Sequence, residues 1–214
     1  MPALLTLALE TSGPRGGLAL GRNDGEIVWQ QEFPTGPAAG GQLFLALEEC
    51  IRAEPPPARL LVGVGPGSYA GVRMAIAAAT GLGLALDLEP VALPSVCGFD
   101  VQAPAFHAIG DARRGAFYYT AVVAGRCQRG PEIHDEAGLH ALLAARPDWP
   151  VFSVESLAGF PIAQRAVPTA ARLLTAPAEI SPRPLEPIYL REPHITRPRG
   201  SLPSPPTQAD NARP

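Results

Sequence analysis

The sequence predicts an α/β protein of two lobes, the second a reduced copy of the first. Three observations carry this. The chain has 214 residues, 46% of them hydrophobic, enough for one large domain or two small lobes with a substantial core. Residues 59–87 read as a buried strand, a glycine-rich turn and a long helix, the repeating unit of α/β folds. A pattern of strand, acidic tip and returning strand occurs twice, at residues 4–20 around Glu10 and at residues 105–123 around Asp111.

The first lobe is expected over residues 1–93. Residues 4–9 form an apolar strand, Glu10-Thr11-Ser12-Gly13-Pro14 a polar turn, and residues 17–20 the start of the returning strand. Asn23-Asp24-Gly25 is a hairpin signal, because these residue types accept the positive φ that a tight hairpin turn requires. A third strand follows over 26–33, then a loop of small residues over 35–41. Residues 42–53 have helical periodicity, with Leu43, Leu47 and Ile51 on one face and Glu48, Glu49 and Arg52 off it. Pro55-Pro56-Pro57 ends that helix.

Residues 59–64 are the next strand, and Gly65-Pro66-Gly67-Ser68 the turn. Pro66 fixes its own φ, the glycines permit angles closed to other residues, and the Ser68 hydroxyl is placed to cap the helix that follows. That helix is expected over 69–86, and Arg73 is its one charge. Gly71, Ala75, Ala78 and Ala79 line one face; Ala70, Ala77, Gly81 and Ala85 line another. A helix apolar all round is normally buried, here against its own lobe and, on the far side, against either more core or a partner. It falls short of the ~20 strongly apolar residues of a membrane span. Residues 91–93 are a short strand.

The second lobe is expected over residues 94–195. It reads as a helical segment at 95–101, a strand at 105–109, a polar turn from Gly110 through Asp111 to Gly115, and a returning strand at 116–123. A helix capped by Asp135 ends at Arg146-Pro147, followed by a strand at 150–154, a helix at 169–175 and a strand-like piece at 187–191. Residues 196–214 hold almost no large apolar side chains and are predicted to be disordered.

Composition removes several function classes. A net charge of −3 leaves no global footprint for nucleic acid. All 17 basic residues are arginine, which excludes a lysine nucleophile and the lysine of a phosphate-binding P-loop. Cys50, Cys97 and Cys127 are dispersed, and His107, His134, His140 and His194 lack metal-ligand spacing, so no metal site is predicted. The first residues have no basic region before their apolar run, so no signal peptide is expected and the cytoplasm is the expected location. Gly65-x-Gly67-x-x-Ala70 meets a dinucleotide-binding fingerprint only loosely: Asp87 ends a helix instead of the next strand, and Pro66 removes a donor from the turn.

Four motifs carry a resemblance: Leu7-Ala8-Leu9-Glu10-Thr11-Ser12, Gly63-Val64-Gly65-Pro66-Gly67-Ser68-Tyr69-Ala70-Gly71-Val72-Arg73, Asp111-Ala112-Arg113, and Tyr189-Leu190-Arg191. In order and spacing, over residues 4–191, they resemble the TsaB (YeaZ) family of bacterial tRNA threonylcarbamoyladenosine synthesis. The resemblance implies a duplicated actin-like, Hsp70-like fold. It also implies a non-catalytic scaffold that binds and activates a homologous TsaD subunit, with TsaE acting alongside TsaD and tRNA touched indirectly or weakly. The implied partner bundle is the helix pair 42–53 and 69–86, through Leu43, Leu47, Gly71, Arg73, Ala75, Ala78, Ala79 and Leu82; a homodimer through the same helices is an alternative. The chain departs from the family at Ala70, usually Thr, at Ala116, usually an acid, and at Gly40-Gly41, where a histidine is common. The link over residues 54–59 is also short.

Glu10, Thr11, Ser12, Gly65, Gly67, Ser68 and Asp111 are expected to meet in a cleft between the lobes, where kinases of this superfamily hold phosphate and magnesium. Glu10 and Asp111 are the residues from which an independent ATP-dependent phosphotransferase would draw its metal-holding acid and its base. The reading favours a vestigial cleft with no catalytic residue and no cofactor, ATP or ADP with magnesium entering only in the complex. A peptidase reading finds neither zinc ligands nor a nucleophile–base pair. Arg73, a cation near a helix N-terminus, needs a specific partner. Pairing with an acid near the glycine turn is favoured over contact with a partner protein or tRNA phosphate.

Overall fold

The computed structural model describes residues 4–22, 25–36, 39–175 and 184–190. Two five-stranded sheets form the frame. In the first, β1 (Leu5–Glu10), β2 (Arg15–Arg22), β3 (Ile27–Pro34), β4 (Arg59–Gly63) and β5 (Val91–Leu93) lie in the order β3-β2-β1-β4-β5. The β1–β2 and β2–β3 pairs are antiparallel; β4 runs parallel to β1, and β5 to β4. In the second, β6 (Ala105–Asp111), β7 (Ala116–Val123), β8 (Arg126–Asp135), β9 (Val151–Ser153) and β10 (Gln164–Arg165) lie in the order β10-β9-β6-β7-β8. Taken from the β8 end, that is the same order with the same directions. The duplication is therefore topological. β1 and β6 are equivalent strands, and Glu10 and Asp111 are the last residue of each.

Alternation along the central strands decides what each face holds. Leu7, Leu9, Leu18, Leu20, Leu60 and Val62 face α1 (Ala39–Ala53) and α2 (Tyr69–Leu86). Ala8, Ala19, Leu61 and Leu93 point the other way, onto Ala170 and Leu173 of α4 (Ala170–Leu174). In the second lobe, α3 (Glu136–Ala144) sets Leu139 and Leu143 against Ile109, Tyr119 and Val151. α2 has its expected bounds: Ser68 Oγ accepts from Gly71 N at 3.2 Å, and Asp87 stops the helix at φ +54.

The structure corrects several expectations. A division at residue 94 does not separate the lobes, because α4 comes from the second half of the chain yet packs on the first sheet. Helix α1 starts at Ala39, so Gly40-Gly41 is helical backbone, not loop. The segment after Pro94 is a single 3₁₀ turn, Ser95–Gly98; beyond it Asp100 N donates to Val167 O, which draws the chain out straight. Strand β8 escapes the sequence reading because Gly130-Pro131 lies inside it. An edge strand tolerates that pair at a bulge, and the register shifts there. Residues 187–190 form no strand and hold the first lobe by one backbone bond, Ile188 N to Val64 O. Residues 23–24 of the expected hairpin turn, Arg191, and residues 196–214 lie outside the described residues.

Candidate functional site

A cleft of about 710 Å³ lies between the lobes, lined among others by Ser12, Gly67, Ser68, Asp111, Glu155 and Tyr189. The glycine turn forms part of its wall, and its geometry explains its sequence. Gly65 sits at φ +92, a left-handed angle that side chains resist. Its N–H donates to Ser95 Oγ at 2.9 Å, and its carbonyl accepts from Ser95 N at 2.8 Å. A Cβ on Gly67 would stand 2.5 Å from Ser12 O, the oxygen that accepts from Ser68 N at 2.8 Å. Two amides at the start of α2 are thus already used within the protein, Ser68 N by Ser12 and Gly71 N by Ser68 Oγ.

Of the seven predicted cleft residues, the structure brings Ser12, Gly67, Ser68 and Asp111 to the cleft. Gly65 is buried behind the turn, and Thr11 turns its hydroxyl to Gly71 O at 2.7 Å. Glu10 corrects the expectation most sharply. It is 0% exposed: Oε1 accepts from Ser12 N at 2.6 Å, and Oε2 has no hydrogen-bond partner among the described residues. Its carboxyl lies directly against Gly63, where a Cβ would clash with Oε2. Burial pushes its pKa above the ordinary carboxylate value, and the bond from Ser12 only partly offsets this. Packed under the turn, this carboxyl does not line the cleft, so it is not placed to hold a cation there.

This burial has a measurable consequence. The folded-state pKa lies above that of the unfolded chain, so folding favours the protonated group. The stabilisation is complete below the ordinary value of 4.5 and is lost as pH rises through the folded value. Glu10→Gln keeps an acceptor for Ser12 N and cannot ionise. The melting temperature of the native chain is expected to fall relative to that of Glu10→Gln as pH rises from 4.5. Parallel curves would contradict a Glu10 carboxyl whose pKa is raised by burial.

Asp111 stays at the surface of the cleft, but its oxygens are engaged: Oδ1 accepts from Arg113 N at 2.6 Å and Oδ2 from the Arg113 guanidinium at 3.2 Å. Glu155 Oε1 accepts from Asp111 N at 2.6 Å, a cleft acid that no motif marked in the sequence. Arg113, Arg114 and Gly115 are all left-handed, at φ +67, +56 and +70, which makes the tight β6–β7 turn.

Arg73 pairs with no acid among the described residues. Its guanidinium donates to the Tyr69 and Tyr189 hydroxyls at 2.7 and 3.3 Å, and those bonds push its pKa up further. Tyr69 and Tyr189 meet ring to ring, centroids 5.6 Å apart and planes tilted by 31°. Both stood inside motifs of the sequence, but only the fold shows that they meet.

The two helices present a different face from the one expected. Leu43, Leu47, Gly71, Ala75, Ala78 and Ala79 are buried against the first sheet, and Leu82 is half-buried on the same core. Among the eight residues expected at a partner surface, only Arg73 is exposed. The outward face instead carries Phe44 (55% exposed), Leu45 (60%) and Leu84 (82%), with Ile51, Ala77, Gly81 and Ala85 around them. By length and composition α2 qualifies as a membrane span, but its small-residue face is packed on the sheet. Residue types alone could not separate the two faces, because both are apolar; burial separates them.

No family model matches the chain. An uncharacterised protein of Mycobacterium leprae (strain TN) is 29% identical over 141 residues, 63% of this chain, and the match spans only 38% of that protein's length. Among solved structures, an uncharacterised protein with similarity to peptidase YEAZ from Pseudomonas aeruginosa has a TM-score of 0.67 at 22% identity, covering 88% of this chain and 100% of that one. YeaZ from Pseudomonas aeruginosa has a TM-score of 0.58 at 20% identity, covering 80% of this chain and 89% of its own. With the same strand order in both sheets, and strands of only three and two residues at the β9–β10 end, the chain has the fold of YeaZ: a duplicated α/β fold of two lobes, the second reduced.

Proposed function

We propose that this chain is a TsaB/YeaZ-family subunit, a non-catalytic scaffold that binds and activates a TsaD homologue in the complex forming threonylcarbamoyladenosine on tRNA. The observation that carries the reading is the outward face of α1 and α2. Phe44, Leu45, Ile51 and Leu84 stand in solvent on two helices that touch each other, with Ala77, Gly81 and Ala85 leaving room for close approach. Exposed apolar side chains carried on two contacting helices suit an interaction site, and burying apolar surface supplies about 25 cal/mol per Å². TsaE acts through TsaD, and tRNA contact with this chain is indirect or weak. ATP or ADP with magnesium belongs to the assembled complex, and the cytoplasm is its location. Without the partner, the same face serves a homodimer.

The buried Glu10 and the engaged Asp111 support a chain without chemistry of its own. Titrating the TsaD homologue of the same organism into the chain in a calorimeter is expected to give saturable heat. Absence of heat at micromolar concentrations of both would remove the reading. A second reading, an ATP-dependent phosphotransferase, rests on the cleft and Asp111. Saturable ATP hydrolysis by the isolated chain, lost in Asp111→Ala, would replace the scaffold with an enzyme.

A further inference from the structure

Residues 184–190 run into the cleft, which residues 187–190 line, and contact both of its sides. Leu185 and Ile188 pack on the first-lobe core, and Ile188 N donates to Val64 O at 2.8 Å. Two residues on, Leu190 packs on the second-lobe core that contains Phe106, Tyr118 and Phe152. Between them Tyr189 turns outward, packs its ring against Tyr69 and accepts from Arg73, both on α2. Pro187, Ile188, Tyr189 and Leu190 all line the cleft. Within three residues the chain is fastened to lobe one, to α2 and to lobe two.

The covalent crossings between lobes are built differently. The segment leaving the first lobe and the one returning to it are bonded to each other, Asp100 N to Val167 O at 3.0 Å and Thr169 N to Gly98 O at 2.9 Å. A pair of bonded connections suits a hinge, which absorbs rotation in a few residues at element ends. The 184–190 segment has one backbone bond to the first lobe and half-buried apolar anchors, the kind of contact that opens locally before the domain unfolds.

We infer that residues 184–190 are an interlobe latch: they hold the cleft at its present width, and their release lets the lobes part about the paired crossings. The latch needs no partner and stands apart from the scaffold reading. Two substitutions release opposite ends of it. Leu190→Ser frees the second-lobe anchor, and Tyr189→Ala frees the contact with α2.

Hydrogen exchange on the full chain, resolved by mass spectrometry, reads the result. Both variants are expected to exchange about tenfold faster at the Ile188 amide and in the cleft walls, residues 64–72 and 110–118, with the strand centres 6–9 and 106–109 unchanged. The decisive point is transmission: Leu190→Ser alters a side chain in lobe two and must speed an amide bonded to lobe one. Faster exchange confined to the second lobe, with Ile188 unaffected, would overturn the latch. Faster exchange throughout both sheets would overturn it too, by making Leu190 an ordinary core residue. If Leu190→Ser does not fold, Tyr189→Ala decides through residues 110–118: Tyr189 touches α2, is 44% exposed and lies outside the core clusters, so unchanged exchange in that second-lobe wall would overturn the latch.

Discussion

Gly71→Ala is expected to destabilise the chain by about 3 kcal/mol or more, the upper range for forced overpacking. An added Cβ would stand 2.1 Å from Thr11 O and 3.1 Å from its carbonyl carbon. Both are backbone atoms, and Thr11 is fully buried. The same loop is tied back by Thr11 Oγ1 donating to Gly71 O at 2.7 Å and by Ser68 N donating to Ser12 O at 2.8 Å. The first turn of α2 cannot retreat without breaking these bonds and lifting Val72 and Ala75 out of the core. Gly81→Ala is the internal control. Nothing lies within 4 Å of its added Cβ, and replacing a helical glycine gains up to about 1 kcal/mol. Denaturant midpoints for the two variants should move in opposite directions. An unchanged midpoint for Gly71→Ala would contradict the close packing of helix on loop.

Much of this architecture was legible in the sequence, for local reasons. The bounds of α2 follow from Ser68 at its start and from the two glycines of the turn before it. The duplication follows from two strand–acid–strand patterns, which reflect equivalent strands β1 and β6. What escaped depends on long-range placement. Glu10 and Asp111 end matching strands, yet one carboxyl is buried beside Gly63 and the other is held by Arg113 at the cleft. No local pattern distinguishes those fates. Of the two partners of Arg73, Tyr69 lies one turn back on the same helix, but Tyr189 lies 116 residues away, where no local pattern links it to Arg73. The inward and outward faces of α2 were exchanged because alanine and glycine populate both, so periodicity gave no sign of which side met the sheet.

The second large effect follows from the corrected face. Gly81→Arg and Leu84→Glu are each expected to weaken binding of the TsaD homologue by about 100-fold, roughly 3 kcal/mol, because each would bury a charge in an apolar contact. Neither should harm the fold. Leu84 is 82% exposed, and the space above Gly81 is empty. Gly81→Arg also replaces a poor helix former with a good one. Gly71 and Ala75 cannot serve this purpose. Both are buried, so a large or charged side chain there would unfold the chain and lose binding for a trivial reason.

Light scattering after size exclusion, on the TsaD homologue mixed with the native chain and separately with Gly81→Arg, tests the scaffold claim most directly. The expected result is a stable mixed complex with the native chain and two separate species with Gly81→Arg, whose melting temperature is unchanged or higher. A mixed complex that survives Gly81→Arg, or no complex with the native chain, would contradict the claim that the outward face of α1 and α2 is where this protein acts.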